Sequence, residues 1–353
     1  LSQGIKNQSF DDQCIIPPHV IKNQKALPYC VYTPFKRACI FHIQTHPALL
    51  NMFPKPKQNQ PLVLSDIKSD AHFRANSAPI TIVKPGYNAS QARLDTFIEQ
   101  RVTDYVASRD IPSLDGTSLL SPYLALGIIS VRQCIAALLD HFNGNFDDVL
   151  CDTGAATWLS ELLWRDFYRM ICFNFPQVSR GMPFKKETKQ LEWSNNEAHF
   201  TAWKEGKTGV PIIDSAMRQL NTTGWMHNRL RMIVAMYFTK NLWQDWRKGE
   251  AYFASKLLDW DFSSNNGGWQ WCASTGTDAA PYFRVLNSVS QSERFDKQGD
   301  FIRDFCPELA KLDDKSIHNP FEKNTPLIDY PRQIIDLKLS RKYAIEQFKA
   351  LTK

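Results

Sequence analysis

The run WLSELLWRDFYR, residues 158–169, spaces Glu161, Trp164, Arg165 and Tyr168 at i, i+3, i+4 and i+7, so a helix sets all four on one face. Leu159, Leu162, Leu163 and Phe167 point elsewhere. A solvated face could carry the same Glu–Arg pair, but exposed faces seldom place Trp and Tyr between the charges. Aromatic planes beside a carboxyl and a guanidinium can stack a flat heterocycle and hydrogen-bond its edge. The spacing favours a pocket wall.

A second run, WMHNRLRMIVAMYF, sets Trp225, Asn228, Arg231 and Met232 on one helical stripe by the same arithmetic. An amide and a guanidinium at core-like positions need internal partners. Asp259 and Asp261 of LLDWDF are candidates. Two such carboxylates could also bind a metal or form an acid–base pair, yet no His lies nearby, and no metal is expected. Thr117, Ser118 and Ser121 of DGTSLLSPYLALG precede an apolar helix. Hydroxyls and free N–H groups at a helix start suit a phosphate or diphosphate, although the same pattern serves as an ordinary N-cap. The chain has no G-x-G-x-x-G and no P-loop, so any nucleotide cofactor is held by helices. A third stretch, NNGGWQWCASTGTDAAPYFRVLN (265–287), joins amides, hydroxyls and bare backbone to two Trp, a composition that calls for a partner beyond simple packing.

The elements that carry these residues read as helices. They are ASQARLDTFIEQRVTDYVASRD, SVRQCIAALLDHF, TWLSELLWRDFYRMICFNF, VPIIDSAMRQL, WMHNRLRMIVAMYFTKNLWQDW and GEAYFASKLL. Residues 1–53 look like the tail of an α/β unit, 54–87 like a Pro-punctuated linker wrapped over a surface, and 88–353 like an all-helical domain. All ten Trp fall after residue 157, more than core filling asks for.

Hydrophobic residues at 43% and charged residues at 22% exclude a disordered chain. Eight scattered Cys without a C-x-x-C pair argue for free thiols rather than zinc or a secreted disulfide framework. The net charge of +6 points weakly to a polyanionic partner. No apolar run approaches the ~20 residues of a membrane span, and no signal pattern opens the chain, so a cytoplasmic protein is expected. The start at Leu1 suggests the back part of something longer.

WLSELLWRDFYR, EGKTGVPIIDSAMRQLNTTGWMHNRLRM, DWDFSSNNGGWQWCASTGTDAAPYFR and SERFDKQGDFIR, in this order and spacing, resemble the photolyase/cryptochrome flavoproteins. Within them the likeness is to the class I cyclobutane pyrimidine dimer DNA photolyases. It covers the chain from Asn88 onward, with FDDQCIIPP and YTPFKRA matching upstream. The resemblance implies the end of an α/β antenna domain, a linker, and a mainly α domain cradling FAD in a U-shaped conformation. An antenna chromophore of folate or deazaflavin type would belong to the antenna domain.

Carried over by position, Tyr105 and the stretch Thr117, Ser118, Leu119, Leu120 and Ser121 resemble the FAD phosphate and ribityl contacts. Trp158, Glu161, Arg165, Asn228 and Trp260 line the same site. Asp259 and Asp261 resemble the carboxylates at the flavin edge and ribityl chain, with Arg231 as partner of Asp259, and Asn265 the amide facing flavin N5. Glu161 would hydrogen-bond the dimer carbonyls, as a neutral donor or through its field. Trp164 and Trp271 would stack a flipped-out lesion, with Asn228 and Met232 as pocket floor. Arg109, Arg165, Tyr168, Arg229 and Arg284 fall near the DNA. Trp193, Trp246 and Trp269 match the family's electron-transfer tryptophans. Leu119 replaces a common Arg, Trp260 a smaller residue and Cys272 a common Ala.

The implied activity is light-driven repair of pyrimidine dimers in single- or double-stranded DNA by a monomer using reduced FAD. A cryptochrome light receptor is the rival. A six-four photolyase fits less well, because a helix would turn His227 about 100° away from Asn228.

Overall fold

The structure, a computed structural model, describes residues 13–51, 82–321 and 329–351. Among these residues the chain is helical, and its only strand-type pairing is an isolated parallel bridge between Ser194 and Gln244. In chain order the helices are α1 (Tyr32–Thr45), α2 (Tyr87–Gln100), α3 (Tyr105–Ser108), α4 (Ser121–Ala125), α5 (Val131–His141), α6 (Phe146–Cys151), α7 (Thr153–Asn174) and α8 (Glu197–Glu205). There follow α9 (Pro211–Thr223), α10 (Asn228–Met236), α11 (Trp246–Lys256), α12 (Phe262–Cys272), α13 (Ser288–Phe295), α14 (Asp300–Phe305) and α15 (Leu337–Ala350).

Local chemistry fixes most of the ends. Ser130 and Gln133 form a reciprocal capping box at α5. Asp152 accepts from Ala155 N at 2.7 Å to start α7, and Asp261 accepts from Ser264 N at 2.9 Å to start α12. Pro211 opens α9, where its missing N–H costs no helical hydrogen bond.

Two helices expected from periodicity are interrupted. The 89–110 pattern divides into α2 and α3, where Gly154 of α7 lies so close that a Cβ there would stand 2.2 Å from Val102 O. The 225–246 pattern begins only at Asn228, because the His227 ring accepts from Arg229 N at 3.2 Å and acts as the N-cap. Trp225 therefore lies outside the stripe assigned to it. The same run widens into a π-turn at Tyr237–Asn241, which sets Lys240 fully inside.

Two large apolar clusters fill the interior. One joins α1, α2, α5 and α7 through Phe35, Ile43, Leu94, Phe97, Ile135 and Phe167. The other joins α9 to α12 and α14 through Met217, Leu230, Trp246, Trp269 and Phe301, with Trp203 of α8. Of residues 1–53, expected as the tail of an α/β unit, those from Ile15 to Ile43 contribute to the first cluster with α7, and Ile15 N donates to Asp166 Oδ2 at 2.8 Å. Their described part contains no strand. The linker expected at 54–87 lies mostly outside the described residues.

Helix α11 meets α12 at bare backbone. A Cβ on Gly249 would stand 2.1 Å from Trp269 Cη2, inside the ring's van der Waals surface. Gly249→Ala is therefore expected to cost about 1–3 kcal/mol through displacement of Trp269. Urea unfolding checks this, and unchanged stability would show that α11 and α12 slide apart freely.

Candidate functional site

Helices α3, α7, α10 and α12 are tied to one another by arginine–carboxylate pairs. Arg109, just after α3, donates to Glu161 Oε1 on α7 at 2.7 Å. Arg229 donates to Asp110 at 2.7 Å while its guanidinium lies over the Phe295 ring. Arg231 on α10 meets Asp259 Oδ2 at 2.7 Å, and Arg169 on α7 meets Asp261 Oδ2 at 2.6 Å. Burial alone would raise the Asp261 carboxyl, but Arg169 and the Ser264 N–H hold it below the ordinary Asp range. Removing one member of a buried pair strands the other.

The pairs leave acceptors over. Glu161 binds Arg109 through Oε1, and its second oxygen has no protein partner among the described residues. Asp259 Oδ1 is sealed from water without a partner. The hydroxyls of Tyr105, Thr117, Ser118 and Ser121 likewise make no hydrogen bond among the described residues. Those of the 117–121 stretch do not cap α4, whose N-cap position is Leu120. Instead Arg93 of α2 holds that stretch by its backbone, with Nε on Ser118 O and Nη2 on Thr117 O, both at 3.0 Å. Just after them Leu119 adopts φ +51°, a left-handed conformation costing a leucine about 1–2 kcal/mol.

The single face read on α7 divides. Trp164 and Tyr168 lie 5.5 Å apart by ring centroid, one turn beyond Glu161. Arg165 turns away, donating to Gln13 O at 2.5 Å and reaching Leu124 O at 3.5 Å. Glu161 has already taken Arg109, so the i, i+4 pair does not form. Trp158 is buried against Phe97.

Helix α12 divides the residues of the NNGG run between packing and open space. Asn266 donates to Glu250 Oε1 at 2.9 Å and accepts from Gln270 Nε2 at 3.0 Å, while Gln270 Oε1 takes Phe184 N. These two amides satisfy the 178–184 loop. Gly267 lets the Tyr168 ring lie on the helix, since a Cβ there would stand 2.1 Å from Tyr168 Cδ1. Asn265 donates to Glu250 O at 3.0 Å, leaving its carbonyl oxygen free. Gly268 has no atom within 4 Å of where its Cβ would be. Its bare backbone borders empty space.

On α10, Asn228 is exposed, and half-buried Met232 accepts from the Cys272 thiol through its carbonyl at 3.7 Å. Burial pushes that thiol up to about 12. His227 is held neutral by burial, its pKa lowered to about 4. Trp271 is half-buried and Trp260 is exposed. Arg284 is exposed on a loop pinned by Lys240, whose ammonium meets Ser274 Oγ at 2.7 Å and Arg284 O at 2.9 Å. Trp246 and Trp269 share one core cluster. Trp269 touches Trp203 at 6.0 Å, and Trp193 touches Trp243 at 4.7 Å.

Sequence reasoning passed over Arg169, Asp110, Glu250 and Lys240. Arg169 was legible, being one turn beyond Arg165 in the motif already singled out. Glu250 and Lys240 come from helices whose facing depends on packing.

The arrangement suits a flat, donor-bearing nucleotide cofactor. A buried orphan carboxylate oxygen, a bare helical backbone beside open space, and a row of unused hydroxyls all fit one. Among the described residues no group of three His, Cys, Asp or Glu converges.

Residues 158–350 match the family model described as the FAD binding domain of DNA photolyase. A deoxyribodipyrimidine photo-lyase of Vibrio cholerae is 44% identical, with 98% of this chain and 74% of that protein covered. The Escherichia coli protein of the same name is 41% identical, covering 98% of this chain and 73% of that one. The crystal structure of a class III photolyase from Agrobacterium tumefaciens superimposes with a TM-score of 0.82 at 34% identity, covering 99% of this chain and 74% of that one. A Synechocystis cryptochrome gives a TM-score of 0.76 at 28% identity over 95% of this chain and 71% of that one.

Gly268→Ala separates cradle from scaffold. With nothing for the methyl to meet, the cofactor-free protein should gain up to about 1 kcal/mol of helix propensity. The flavin content of the purified protein should fall. Denaturant unfolding and visible absorbance check the two halves, and full flavin retention would contradict the assignment of that space.

Proposed function

From the premise that the chain belongs to the photolyase/cryptochrome family, we propose that it is a deoxyribodipyrimidine photo-lyase of class I, splitting cyclobutane pyrimidine dimers in DNA under light. The observation that carries the photo-lyase reading is identity of 41–44% with photo-lyases over 98% of the chain, and the class I motifs of the sequence support the narrower assignment. The cryptochrome, which shares the fold, is more distant at 28%. FAD is the cofactor, and when bound and reduced it supplies the electron that light drives into the dimer.

The protein's own groups bind, orient and exclude water. Asp259 offers Oδ1 to a donor on the flavin edge while Arg231 fixes its other oxygen. Asn265 offers its free amide oxygen, and Asp261 is kept ionised by Arg169 as it caps α12. Tyr105 and the hydroxyls of Thr117, Ser118 and Ser121 would hold the cofactor's phosphate and ribityl end. Leu119 brings no charge there, so anion contact at this point rests on neutral donors.

On the lesion side, Arg109 and Glu161 present a donor and an acceptor side by side. A flipped pyrimidine edge displays both carbonyl and N–H groups, and meets them in register. Trp164 and Trp271 stack its faces above Asn228 and Met232. Arg284, exposed on its pinned loop, neutralises a DNA phosphate, and Tyr168 and Arg229 support the same surface, while Arg165, turned away to Gln13 O and Leu124 O, does not. Trp193, Trp246 and Trp269 would serve as the relay through which bound flavin is re-reduced. His227 is neutral, buried and committed to capping α10, so it brings no acid to the pocket. That favours the dimer over the six-four photoproduct. We place the protein in the cytoplasm as a monomer; among the described residues no helix is long and apolar enough to cross a membrane.

A hydrogen bond to a charged group is worth about 1.5–3 kcal/mol. Glu161→Ala should therefore weaken binding of a dimer-containing oligonucleotide roughly ten-fold or more, with flavin retained. Light-dependent dimer loss at limiting DNA should drop alongside. Wild-type protein that holds flavin yet repairs nothing under illumination would transfer the chain to the receptor reading.

A further inference from the structure

The tightest ring pair among the described residues joins Trp164 to a tyrosine that has so far been given no role. Tyr32, at the start of α1, stacks on Trp164 with centroids 3.6 Å apart and planes 11° from parallel. Tyr32 is buried, its edge set against Phe167 at 5.7 Å. Its hydroxyl donates to Ser160 O at 2.6 Å and lies 2.6 Å from Ser160 Oγ, one residue before Glu161. Both ends of the side chain are therefore fixed to one turn of α7.

The backbone around it is fixed to another element. Tyr32 N donates to Asp278 Oδ2 at 3.0 Å, and Thr277 Oγ1 donates to Cys30 O at 2.7 Å. Asp278 holds a left-handed φ of +45°, an arrangement rare for a side-chain-bearing residue and kept here by those contacts. Residues 277–278 follow α12, which carries Trp271. One short segment, Cys30–Tyr32, thus clips the helix bearing Trp164 to the loop leaving the helix bearing Trp271.

We propose that Tyr32 is a positioning residue for lesion recognition: its ring backs one face of Trp164, holding the indole upright so that the opposite face meets the flipped base. The inference rests on the assignment of Trp164 as a lesion wall. An indole without that backing has rotamers to lose on binding, and a stack that is already set loses none. The contribution of such an aromatic pair beyond burial corresponds to roughly three- to ten-fold in affinity.

The test is the ratio of affinities for dimer-containing and undamaged duplex, measured on the full chain with flavin bound. Tyr32→Leu removes the stack and should lower that ratio roughly three- to ten-fold, leaving undamaged DNA bound as before. Tyr32→Phe keeps the ring and should restore the ratio. Near-ultraviolet circular dichroism should lose its stacked-pair signal in the leucine variant alone. Asp278→Ala, which releases the backbone clip without opening the core, should lower the ratio in the same direction and serves if the leucine variant does not fold. Trp164→Ala is the control: if it keeps the full ratio, the lesion-wall assignment itself fails. If Trp164→Ala loses discrimination while Tyr32→Leu and Asp278→Ala both stay within two-fold of wild type, the positioning role is overturned and the lesion wall stands.

Discussion

A carboxylate oxygen sealed from water without a donor costs about 1–3 kcal/mol, and this fold keeps one in Oδ1 of Asp259. Everything around it is arranged so that the other oxygen cannot turn to help. Arg231 holds Oδ2 at 2.7 Å, and the side chain is only 2% exposed. The fold therefore carries a standing cost that only an incoming donor relieves. The same half-use recurs at Glu161, whose partner Arg109 takes one oxygen and leaves the other. Arginines just after α3 and on α7 and α10 act as struts, and the proposed function puts ligands at the unspent acceptors.

That constraint explains why the site is built between helices. Nothing in the chain offers a glycine-rich phosphate turn, so contacts come from side chains on α7, α10 and α12 and from a hydroxyl loop braced by Arg93. Helix α12 is the hinge of the design. One side gives Asn266 and Gln270 to the 178–184 loop and Gly267 to Tyr168. Asn265 and Gly268 remain with an unspent oxygen and open space. In the proposed reading flavin and lesion sites share a wall, because α7 carries residues assigned to both within two turns.

Much of this was legible in the sequence, because helical spacing is a strong signal. Glu161, Trp164 and Tyr168 fall together as their i, i+3, i+7 spacing requires, and Arg231 finds Asp259. The mainly α class follows from the unbroken run of amphipathic segments. What could not be read depended on competition for partners. Arg165 leaves the expected face because Arg109, distant in sequence, reaches Glu161 first. Helix α10 begins late because an imidazole caps it, and no residue pattern distinguishes a capping His from a helical one. Paired Asn and paired Gly look equivalent in a string, yet a helix turns neighbours about 100° apart, so one of each pair packs and the other does not. Tyr32 escaped notice because its partners lie more than a hundred residues away.

The central claim is that Asp259 Oδ1 awaits a cofactor donor, and the measurement that reaches it most directly is the rise in melting temperature on adding FAD to cofactor-stripped protein, wild type against Asp259→Ala. Ligand affinity for the folded state appears as stability. The account predicts a large rise for wild type and one reduced by the equivalent of about 1–3 kcal/mol in the variant, with the stripped variant folded. An equal rise in both would mean that the orphan oxygen has no part in holding the flavin.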